Sequence, residues 1–365
     1  GSPEHRTFRE TVRRFVQTEL APRAREFDEL GRIDKAVYPK MGALGLLGIR
    51  YDPRYGGQGL DYSYQAIFLE ELTLCDNAGV AMGITVQTDM ATPALARFGS
   101  EELKRKYLVP AIRGEHVAAI AVTEPGAGSD VAGIRTRAVR DGDHWVINGS
   151  KMYITNAATA DWLCLLAVTD PDAGYGGFSQ IVVPTDTKGF SYELLDKIGN
   201  VGSDTGLLFF DDVRVPVANT IGDPSRGFQQ QMNQFQDERM VPVVIAPVAS
   251  RHLWEVTLKH AQERVLFGKP LSKMQVTQHK FVDMLIQITA AQEFAHRCIR
   301  KMMRHEDATV DISLAKIFTT AAQQFVAALQ VTPERFRGLG DAGRQHELRF
   351  LRHVIEQGRR RLEEQ

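Results

Sequence analysis

Ala121-Val-Thr-Glu-Pro-Gly-Ala-Gly-Ser-Asp130 begins as an apolar strand and turns into a loop at its proline. Gly126 and Gly128 would let backbone N–H groups approach an anion, and Ser129 would add a hydroxyl to such a phosphate-binding loop. A plain turn explains the same spacing equally well. A dinucleotide-binding fingerprint does not fit, because its third glycine would fall at Val131 and strands follow rather than a helix.

The second informative stretch is Ser150-Lys-Met-Tyr-Ile-Thr-Asn156, which predicts a strand. Alternation places Met152 and Ile154 on one face and Tyr153 and Thr155 on the other. An aromatic ring beside a hydroxyl can stack on a planar cofactor and hydrogen-bond one of its ring nitrogens. Ordinary strands also contain such pairs, so the spacing alone leaves both interpretations open.

The spacing of apolar residues changes twice along the chain, from a helical period to a strand period and back. The helical period covers residues 1–116, short strands cover 117–225, and long amphipathic stretches cover 226–365. Strands that follow one another without helices between them predict a small β-barrel or sandwich. The fold class is therefore α+β, with an N-terminal helical domain, a middle β domain and a C-terminal antiparallel helical bundle.

The same patterns predict the individual elements. Asn148-Gly149 is a strong hairpin signal. The predicted strands are His116–Val122, His144–Ile147, Trp162–Val168, Gln180–Val183, Phe190–Leu194, Gly206–Phe210 and Val213–Val215. The predicted helices include an apolar stripe from Phe8 to Leu20, Tyr62–Thr73, a helix capped by Ser100, Val256–Leu266, Val276–Met303, Ile312–Leu329 and Arg349–Glu364.

Composition excludes several classes of partner. A net charge of −1 argues against nucleic acid or an anionic membrane surface, and no apolar run reaches the ~20 residues of a membrane span. Cys75, Cys164 and Cys298 are far apart, which predicts buried thiols and a reducing compartment rather than a disulfide framework. The histidines show no metal-ligand spacing, so no metal is expected.

Together the two stretches resemble the paired signature of the acyl-CoA dehydrogenases. Further matching segments are Ser203-Asp-Thr, Phe210-Asp-Asp-Val-Arg-Val-Pro216 and Arg264-Val-Leu-Phe-Gly268, with Gln275 beyond them. The resemblance extends from the first helix to about Gln330. It implies an α–β–α fold and an FAD-dependent enzyme of fatty-acid metabolism that introduces a double bond between the α and β carbons of an acyl-CoA thioester.

The resemblance also implies which residues bind the flavin. The backbone at Val122 and Thr123 and the Thr123 hydroxyl would meet the pyrimidine edge. Ser129 would lie near the pyrophosphate, Tyr153 would pack on the isoalloxazine, and Thr155 would bond flavin N5. Arg264, Phe267 and Gln275 match residues that reach the FAD of a neighbouring subunit, so a homotetramer is expected.

Most family members carry their catalytic glutamate near the C-terminus, in a Tyr-Glu-Gly-Thr type of sequence that this chain lacks. The isovaleryl- and long-chain branch places it on the first helix after the β domain. There the resemblance makes Glu238 the base and Arg239 its electrostatic support, with Asp237 as the nearest rival carboxylate. Glu124 looks structural. Pro242 and Pro247 predict that this helix is kinked or short.

Two segments refine the resemblance. Asp61-Tyr-Ser-Tyr and Gln87-Thr-Asp-Met-Ala-Thr-Pro look closest to the citronellyl-CoA dehydrogenase branch. The segment after Gln330 is shorter than in the family and lacks its glycine-rich turn, its arginine-containing helix start and its Glu-Gly-Thr loop. The family takes part of its FAD-adenine contact and of its acyl pocket from that region.

The resemblance implies an electron-transfer flavoprotein as acceptor and a location in the bacterial cytoplasm, or in the mitochondrial matrix if the source is eukaryotic. One alternative is a same-fold acyl-CoA oxidase or flavin monooxygenase, which the oxygen reactivity of the reduced flavin would reveal. Another is a non-catalytic protein that binds acyl thioesters without flavin reduction. Chain length, branching, and the choice between CoA and a carrier protein depend on pocket shape.

Overall fold

The computed structural model describes residues 1–329. The predictions for the segment after Gln330 and for a helix at Arg349–Glu364 lie outside this range. The described residues form two compact units. The first contains Gly1–Val241 together with Ile299–Thr309, and the second contains Pro242–Cys298 and the residues from Val310 onward. The predicted domain limits at 116 and 225 stay predictions.

Helices fill the N-terminal part of the first unit, and side-chain caps fix where several of them begin. Asp61 accepts a hydrogen bond from the Ser63 backbone at 2.8 Å, and Ser100 accepts one from the Leu103 backbone at 3.2 Å. The helices are α1 (Pro3–Phe15), α2 (Ala24–Leu30), α3 (Val37–Ala43), α4 (Tyr62–Leu72), α5 (Ala78–Thr85), α6 (Thr92–Phe98), α7 (Glu101–Leu103) and α8 (Val109–Arg113), with π-helical turns at Val16–Leu20, Val86–Ala91 and Lys104–Leu108.

The middle of the chain is one seven-stranded sheet, in which β5 pairs with β4 outside the order β1-β4-β2-β3-β7-β6. Its strands are β1 (Ala118–Ala121), β2 (Arg137–Asp141), β3 (His144–Thr155), β4 (Trp162–Val168), β5 (Phe178–Pro184), β6 (Phe190–Leu194) and β7 (Thr205–Pro216). The predicted fold class is confirmed. Gly206–Phe210 and Val213–Val215, which were predicted as separate strands, form the single strand β7.

The strand order explains how the glycine-rich loop leaves the sheet. β1 pairs in parallel with β4 from Trp162 to Leu165, and β2 pairs in parallel with β4 at Val168. The two strands therefore share one edge of β4, one after the other. Residues 122–136 connect the two strands outside the sheet. This connection contains the glycine-rich loop around Gly126 and Gly128.

Apolar clusters cover both faces of β4, which explains why its sequence is a continuous apolar run. Leu163 and Leu165 pack in a cluster with Ile147, Ile181 and other residues of the sheet. Trp162 and Cys164 point the other way, into a cluster with the helical residues around Leu95 and Leu108. The sheet is thereby fixed against the N-terminal helices.

The predicted hairpin turn at Asn148-Gly149 is wrong, because β3 runs through it without interruption. The pairing of β3 with β7 shifts register between Ile147 and Gly149, where β7 has one residue more than β3, so the β-bulge lies on β7 opposite Asn148. Glycine is needed there, because a Cβ on Gly149 would lie 2.6 Å from Thr136 Oγ1. The Asn148 side chain exchanges hydrogen bonds of 2.9 Å with Asp212 across the bulge.

Three long helices follow the sheet: α9 (Gly227–Glu263), α10 (Gln275–Met303) and α11 (Thr309–Leu329). The prediction that Pro242 and Pro247 shorten the first of them is wrong, because both lie inside a continuous helix of 37 residues. Each proline removes only its own N–H from the helical ladder. The predicted helix Val256–Leu266 extends too far, since Val265–Leu266 forms strand β8 and pairs with β9 (Lys269–Pro270).

Helix α11 is long and apolar enough, by length and composition alone, to cross a bilayer. Its sequence is not an uninterrupted apolar run, because Asp311 and Lys316 lie within it. One such helix is weak evidence for a membrane span, because core helices of soluble proteins have similar compositions. Its Val326 packs in an apolar cluster with Phe281, Met284 and Ile288 of the second unit.

Candidate active site

Glu238 lies in the first half of α9 with its carboxyl group in a poorly solvated place. Burial raises the pKa of Glu238 to about 8, against a lowering hydrogen bond from Gln234 and the positive charge of Arg239. The neighbouring charge of Asp237 adds to the rise in pKa. A carboxylate in this setting is a stronger base than one in water.

The rival carboxylate, Asp237, is ion-paired with two arginines. Its Oδ1 lies 3.1 Å from Arg50 and its Oδ2 lies 2.5 Å from Arg97. Arg50 also lies 3.9 Å from the buried Asp89, whose pKa burial raises to about 6. Among residues 1–329, Asp237 and Glu238 share no hydrogen-bond or ion-pair partner. Asp237 therefore holds α9 in place, and Glu238 is the carboxylate free for chemistry.

Aromatic residues connect α9 to the strand that precedes the glycine-rich loop. Phe228 and Phe235 of α9 pack against an apolar cluster that contains Val122 and Ala127. The guanidinium of Arg239 lies 5.8 Å from the centre of the Phe235 ring. The structure thus brings the candidate base helix and the start of the candidate flavin loop to one cluster within the first unit.

The glycine-rich loop is a tight turn with an open outer face. Glu124 and Ala127 exchange backbone hydrogen bonds of 2.8 and 3.2 Å, which closes the turn. A Cβ on Gly126 would meet no atom within 4 Å, and one on Gly128 would meet only the Thr123 methyl group. Ser129 is exposed beside them. The backbone of this loop is therefore accessible to a bound group.

A buried ion pair supports the loop from behind. Lys151 of β3 donates to Glu124 Oε1 at 2.9 Å and to the Val122 carbonyl at 2.8 Å. The backbone N–H groups of Arg135 and Thr136 donate to Glu124 at 2.6 and 2.9 Å. Although burial opposes it, the charge of Lys151 and these donors hold the pKa of Glu124 below its usual range. Among the described residues, the partners of Glu124 are therefore those of a structural ion pair that supports the loop.

A second β-bulge directs Tyr153 outward. Lys151 pairs with Leu208 and Ile154 pairs with Gly206, so β3 has one residue more than β7 across this interval. The strict alternation expected for Met152 to Thr155 is therefore wrong, because the buried residues are Lys151 and Ile154. Tyr153 takes a φ of 61° and its side chain is 64% exposed. The exposed ring of Tyr153 is therefore available to pack on a planar group.

The remaining predicted flavin residues lie in the second unit. Arg264, Phe267 and Gln275 sit on and just after the β8–β9 hairpin, and all three are exposed. Phe267 is 95% exposed at a φ of 51°, at the tip of the hairpin. The structure does not place these residues with Val122, Thr123, Ser129, Tyr153 and Thr155, which belong to the first unit.

Models of three consecutive domains match the chain. They are the N-terminal, middle and C-terminal domains of acyl-CoA dehydrogenase, which match residues 2–115, 119–213 and 225–332. The chain belongs to the acyl-CoA dehydrogenase family. It is accordingly an oxidoreductase of a family whose members depend on FAD.

Named relatives agree with the family models. This acyl-CoA dehydrogenase is 36% identical to the mitochondrial long-chain specific acyl-CoA dehydrogenase of Sus scrofa, over 89% of this chain and 76% of the relative. An acyl-CoA dehydrogenase structure from Geobacillus kaustophilus matches with a TM-score of 0.89 and 35% identity, over 94% of this chain and 92% of that one. A glutaryl-CoA dehydrogenase of Mycobacterium smegmatis in complex with FADH2 matches with a TM-score of 0.83 and 31% identity, over 90% and 83% of the two chains.

The residues of the first unit fit a flavin dinucleotide by their chemistry. The hydroxyls of Thr123, Ser129 and Thr155 hydrogen-bond no other residue in the described part of the chain. The Thr123 carbonyl is occupied by the Met152 N–H at 2.8 Å, so its hydroxyl is the side that remains for a ligand. Free hydroxyls, an exposed aromatic ring and an open glycine-rich turn are what a planar ring with a pyrophosphate requires.

Sequence reasoning missed two groups around this acyl-CoA dehydrogenase site. Gln231 and Gln234 lie beside Glu238, and their helical spacing to it was visible in the sequence, but glutamine is usually exposed. The second group lines a cavity of about 490 Å³. Arg135 and Arg137 border this cavity, and neither makes an ion pair with another described residue. The exposed ring of Tyr175 also borders it, with its centroid 4.7 Å from that of the Phe228 ring, to which it is tilted by 36°.

Proposed function

We propose that this acyl-CoA dehydrogenase converts an acyl-CoA to the 2-enoyl-CoA, with Glu238 as the base that removes the α-proton. That proton is weakly acidic, so its removal needs a strong carboxylate base beside a polarised thioester carbonyl. The single observation that carries the proposal is the desolvated Glu238 carboxyl, whose pKa burial raises to about 8. Its place on α9 agrees with the base position of the isovaleryl- and long-chain branch.

The flavin would be held by residues whose free groups suit it. Thr123, Ser129 and Thr155 would donate hydroxyls, Val122 would contribute backbone, and Tyr153 would cover the ring. Arg264, Phe267 and Gln275 would reach the flavin of a neighbouring subunit. When bound, FAD supplies the acceptor for the hydride that leaves the β-carbon.

The protein's own residues control the base in two ways. Arg239 carries a positive charge that favours the carboxylate form of Glu238, so it limits how far burial raises the pKa. Asp237, paired with Arg50 and Arg97, fixes the neighbouring turn of α9. Glu238 can therefore gain and lose a proton while the ion pairs of Asp237 hold its helix in place.

The cavity beside Arg135, Arg137 and Tyr175 suits the nucleotide end of CoA. CoA carries several phosphate charges and an adenine ring, and unpaired guanidinium groups bind phosphate well. The exposed Tyr175 ring offers a stacking surface. This arrangement favours CoA over a protein-bound thioester as the carrier.

The second unit supports the proposal of a homotetramer. Its helices expose large apolar side chains that are costly to leave in water. In α10 these are Val276, Val282 and Ile286, which are 69, 54 and 58% exposed, and in α11 they are Val310, Leu314 and Ile317, which are 69, 54 and 70% exposed. These side chains, and that of Phe267, are suited to burial against another copy of the chain.

The test of the base is anaerobic reduction of the flavin-loaded enzyme by a panel of acyl-CoAs, followed by the bleaching of the flavin spectrum. We expect E238Q to reduce roughly a hundredfold more slowly or worse, the usual contribution of a general base. In the parent, the rate should rise with pH through a midpoint of about 8, because only the ionised form of Glu238 accepts the proton. The exposed Glu255 on the same helix gives the matched control, E255Q.

Each outcome separates the alternatives. Normal reduction by E238Q would exclude Glu238 as the base while leaving the family intact. A flavin that no acyl-CoA bleaches would favour the non-catalytic alternative. Fast reoxidation of the reduced flavin by oxygen would favour an oxidase or monooxygenase, whereas slow reoxidation would favour an electron-transfer flavoprotein as acceptor, which stays a prediction.

A further inference from the structure

Two fully buried glutamines lie on the same face of α9 as Glu238. Gln231, Gln234 and Glu238 are spaced by three and four residues, which places them one above another along the helix. Gln231 and Gln234 are 0% exposed. A primary amide is costly to remove from water unless its groups are bonded, so these side chains need partners inside the protein.

Gln231 connects the sheet to the base. The Gln180 amide of β5, also fully buried, donates to Gln231 Oε1 at 2.9 Å. Gln231 is thereby oriented with its own amide N–H groups toward Glu238, and its Nε2 lies 3.5 Å from Glu238 Oε1. Gln180 therefore donates to Gln231, and Gln231 in turn donates to the Glu238 carboxylate.

Gln234 connects the same carboxylate to the N-terminal helices. Its carbonyl oxygen accepts the Ala94 backbone N–H at 2.8 Å, and its Nε2 donates to the Met90 carbonyl at the end of the π-helical turn. Its amide also hydrogen-bonds Glu238. Gln234 thus has no freedom to rotate away from the carboxylate without breaking two bonds to the backbone.

We propose that Gln231 and Gln234 are positioning residues that hold the Glu238 carboxylate in one orientation by donating amide N–H groups to it, with Gln180 acting through Gln231. This inference rests on the proposed role of Glu238 as base. Amide donors stabilise the charged form of a carboxyl group, so they offset part of the burial that Glu238 suffers. Replacing either amide by a hydrocarbon side chain would therefore raise the pKa of Glu238.

Two other titratable groups of this region have pKa values away from 8. Burial raises the pKa of the Cys164 thiol on β4 to about 12. Asp89 on the π-helical turn has a pKa of about 6. The remaining groups are Asp237 and Arg239 on α9 itself, and Arg50 and Arg97, which pair with Asp237. Burial also brings the pKa of Lys151 to about 8, so the infrared carboxyl band that disappears in E238Q is what assigns a midpoint near 8 to Glu238.

The experiment compares flavin-loaded parent, Q231M, Q180M, the double variant and Q229M. Methionine keeps the length of glutamine and removes its donors, and Gln229 is exposed on the first turn of α9. Two titrations are recorded between pH 6 and 10: the rate of anaerobic flavin reduction by an acyl-CoA, and the infrared carboxyl band that disappears in E238Q. The infrared band reports ionisation of Glu238 without turnover.

We expect Q231M to move both midpoints upward by roughly half to one pH unit, and Q180M to move them by less in the same direction. The double variant should match Q231M alone, because Gln180 acts through Gln231. Q229M should match the parent. Thermal unfolding and flavin content are measured for every variant to separate loss of structure from loss of positioning.

A merely structural role predicts something else. If Q231M lowers the rate equally at every pH with unchanged midpoints, the positioning role is refuted while Glu238 remains the base. If the pH midpoints of the double variant shift by the sum of the two single shifts, Gln180 does not act through Gln231. If E238Q itself reduces normally, the proposed function fails first, and the infrared titration still shows whether Gln231 acts on Glu238.

Discussion

At the scale of single residues, the buried pair of Lys151 and Glu124 joins the two stretches that carry the family resemblance. Lys151 is 0% exposed and Glu124 is 8% exposed. Burial lowers the pKa of Lys151 to about 8, so its charge persists at neutral pH with Glu124 and the Val122 carbonyl as partners. Removing one member of such a pair leaves the other charged and buried.

We expect K151M to lower the free energy of unfolding by about 3 kcal/mol or more, the usual cost of breaking a buried pair. The matched control is K188M, because Lys188 is exposed and makes no ion pair with a described residue. Denaturant titration of both variants measures the difference. The double variant E124Q/K151M should recover part of the loss, since no isolated charge remains. Equal stability of K151M and K188M would contradict the prediction.

The pair also has a definite pH dependence. Because the pKa of Glu124 is held below its usual range, its contribution to stability is present above the unfolded value of about 4.3. It is lost as the pH falls through the lower folded value. The low-pH loss of stability should therefore be smaller in E124Q/K151M than in the parent.

Arg135 and Arg137 give a residue-scale test of the carrier. We expect the double variant R135Q/R137Q to raise the dissociation constant of an acyl-CoA roughly three- to tenfold, because exposed charged contacts are individually weak. A thioester truncated at the pantetheine, without the nucleotide, should bind equally well to variant and parent. R140Q is the control, since Arg140 is exposed on the same strand. Equal weakening of both ligands would refute the nucleotide assignment.

The choice between Asp237 and Glu238 shows what a sequence leaves open at this scale. Both are carboxylates, and helical geometry alone says only that they point in different directions. Arg50, which occupies one of them, is far away in the sequence, and Arg97 comes from another helix. Only the tertiary structure shows that two arginines pair with Asp237 and that the amides of Gln231 and Gln234 lie beside Glu238.

At the scale of elements, local signals failed where long-range packing opposed them. Asn148-Gly149 favours a two-residue hairpin, yet β3 pairs with β7 on both sides of it. Extending that ladder outweighs the turn preference, and the glycine instead allows the close approach of Thr136. The pattern from Ser150 to Asn156 was correctly predicted as a strand, but the bulge that exposes Tyr153 depends on the register of β7.

The prolines of α9 illustrate the same limit. Pro242 removes the donor to the Glu238 carbonyl, and Pro247 removes the donor to the Val243 carbonyl. A kinked or short helix was therefore the expected result. Met240, Val241, Val243 and Val244 are buried, and their burial stabilises the helix on both sides of Pro242. A local rule about backbone bonds cannot weigh this packing.

At the scale of the whole molecule, the α–β–α order was predictable because periodicity survives in any sequence that buries one face of each element. The proposed flavin residues of the first unit follow from motifs whose members are close in sequence. Arg264, Phe267 and Gln275 are different, because their expected partner is another copy of the chain. Their expected contacts with the flavin therefore depend on how copies of the chain assemble.

Assembly gives the last prediction. The second unit exposes Ile317 by 70% and Val310 by 69%, on one apolar helix, and Phe267 by 95%. Burying such side chains gains about 25 cal/mol per Å² of apolar surface. We therefore expect light scattering after size exclusion to give a mass near four times 40.7 kDa. The variant V310E/I317E should dissociate toward smaller species, because it would place two carboxylates in a buried interface.

The control and the flavin content decide what assembly does. V139E changes an equally exposed valine of the first unit and should leave the mass unchanged. If Arg264, Phe267 and Gln275 complete a neighbour's site, V310E/I317E should also lose flavin, while F267A should lose flavin without changing the mass. A monomeric parent at micromolar concentration would contradict the assembly. Full flavin retention by a dissociated variant would mean that the first unit holds the cofactor alone.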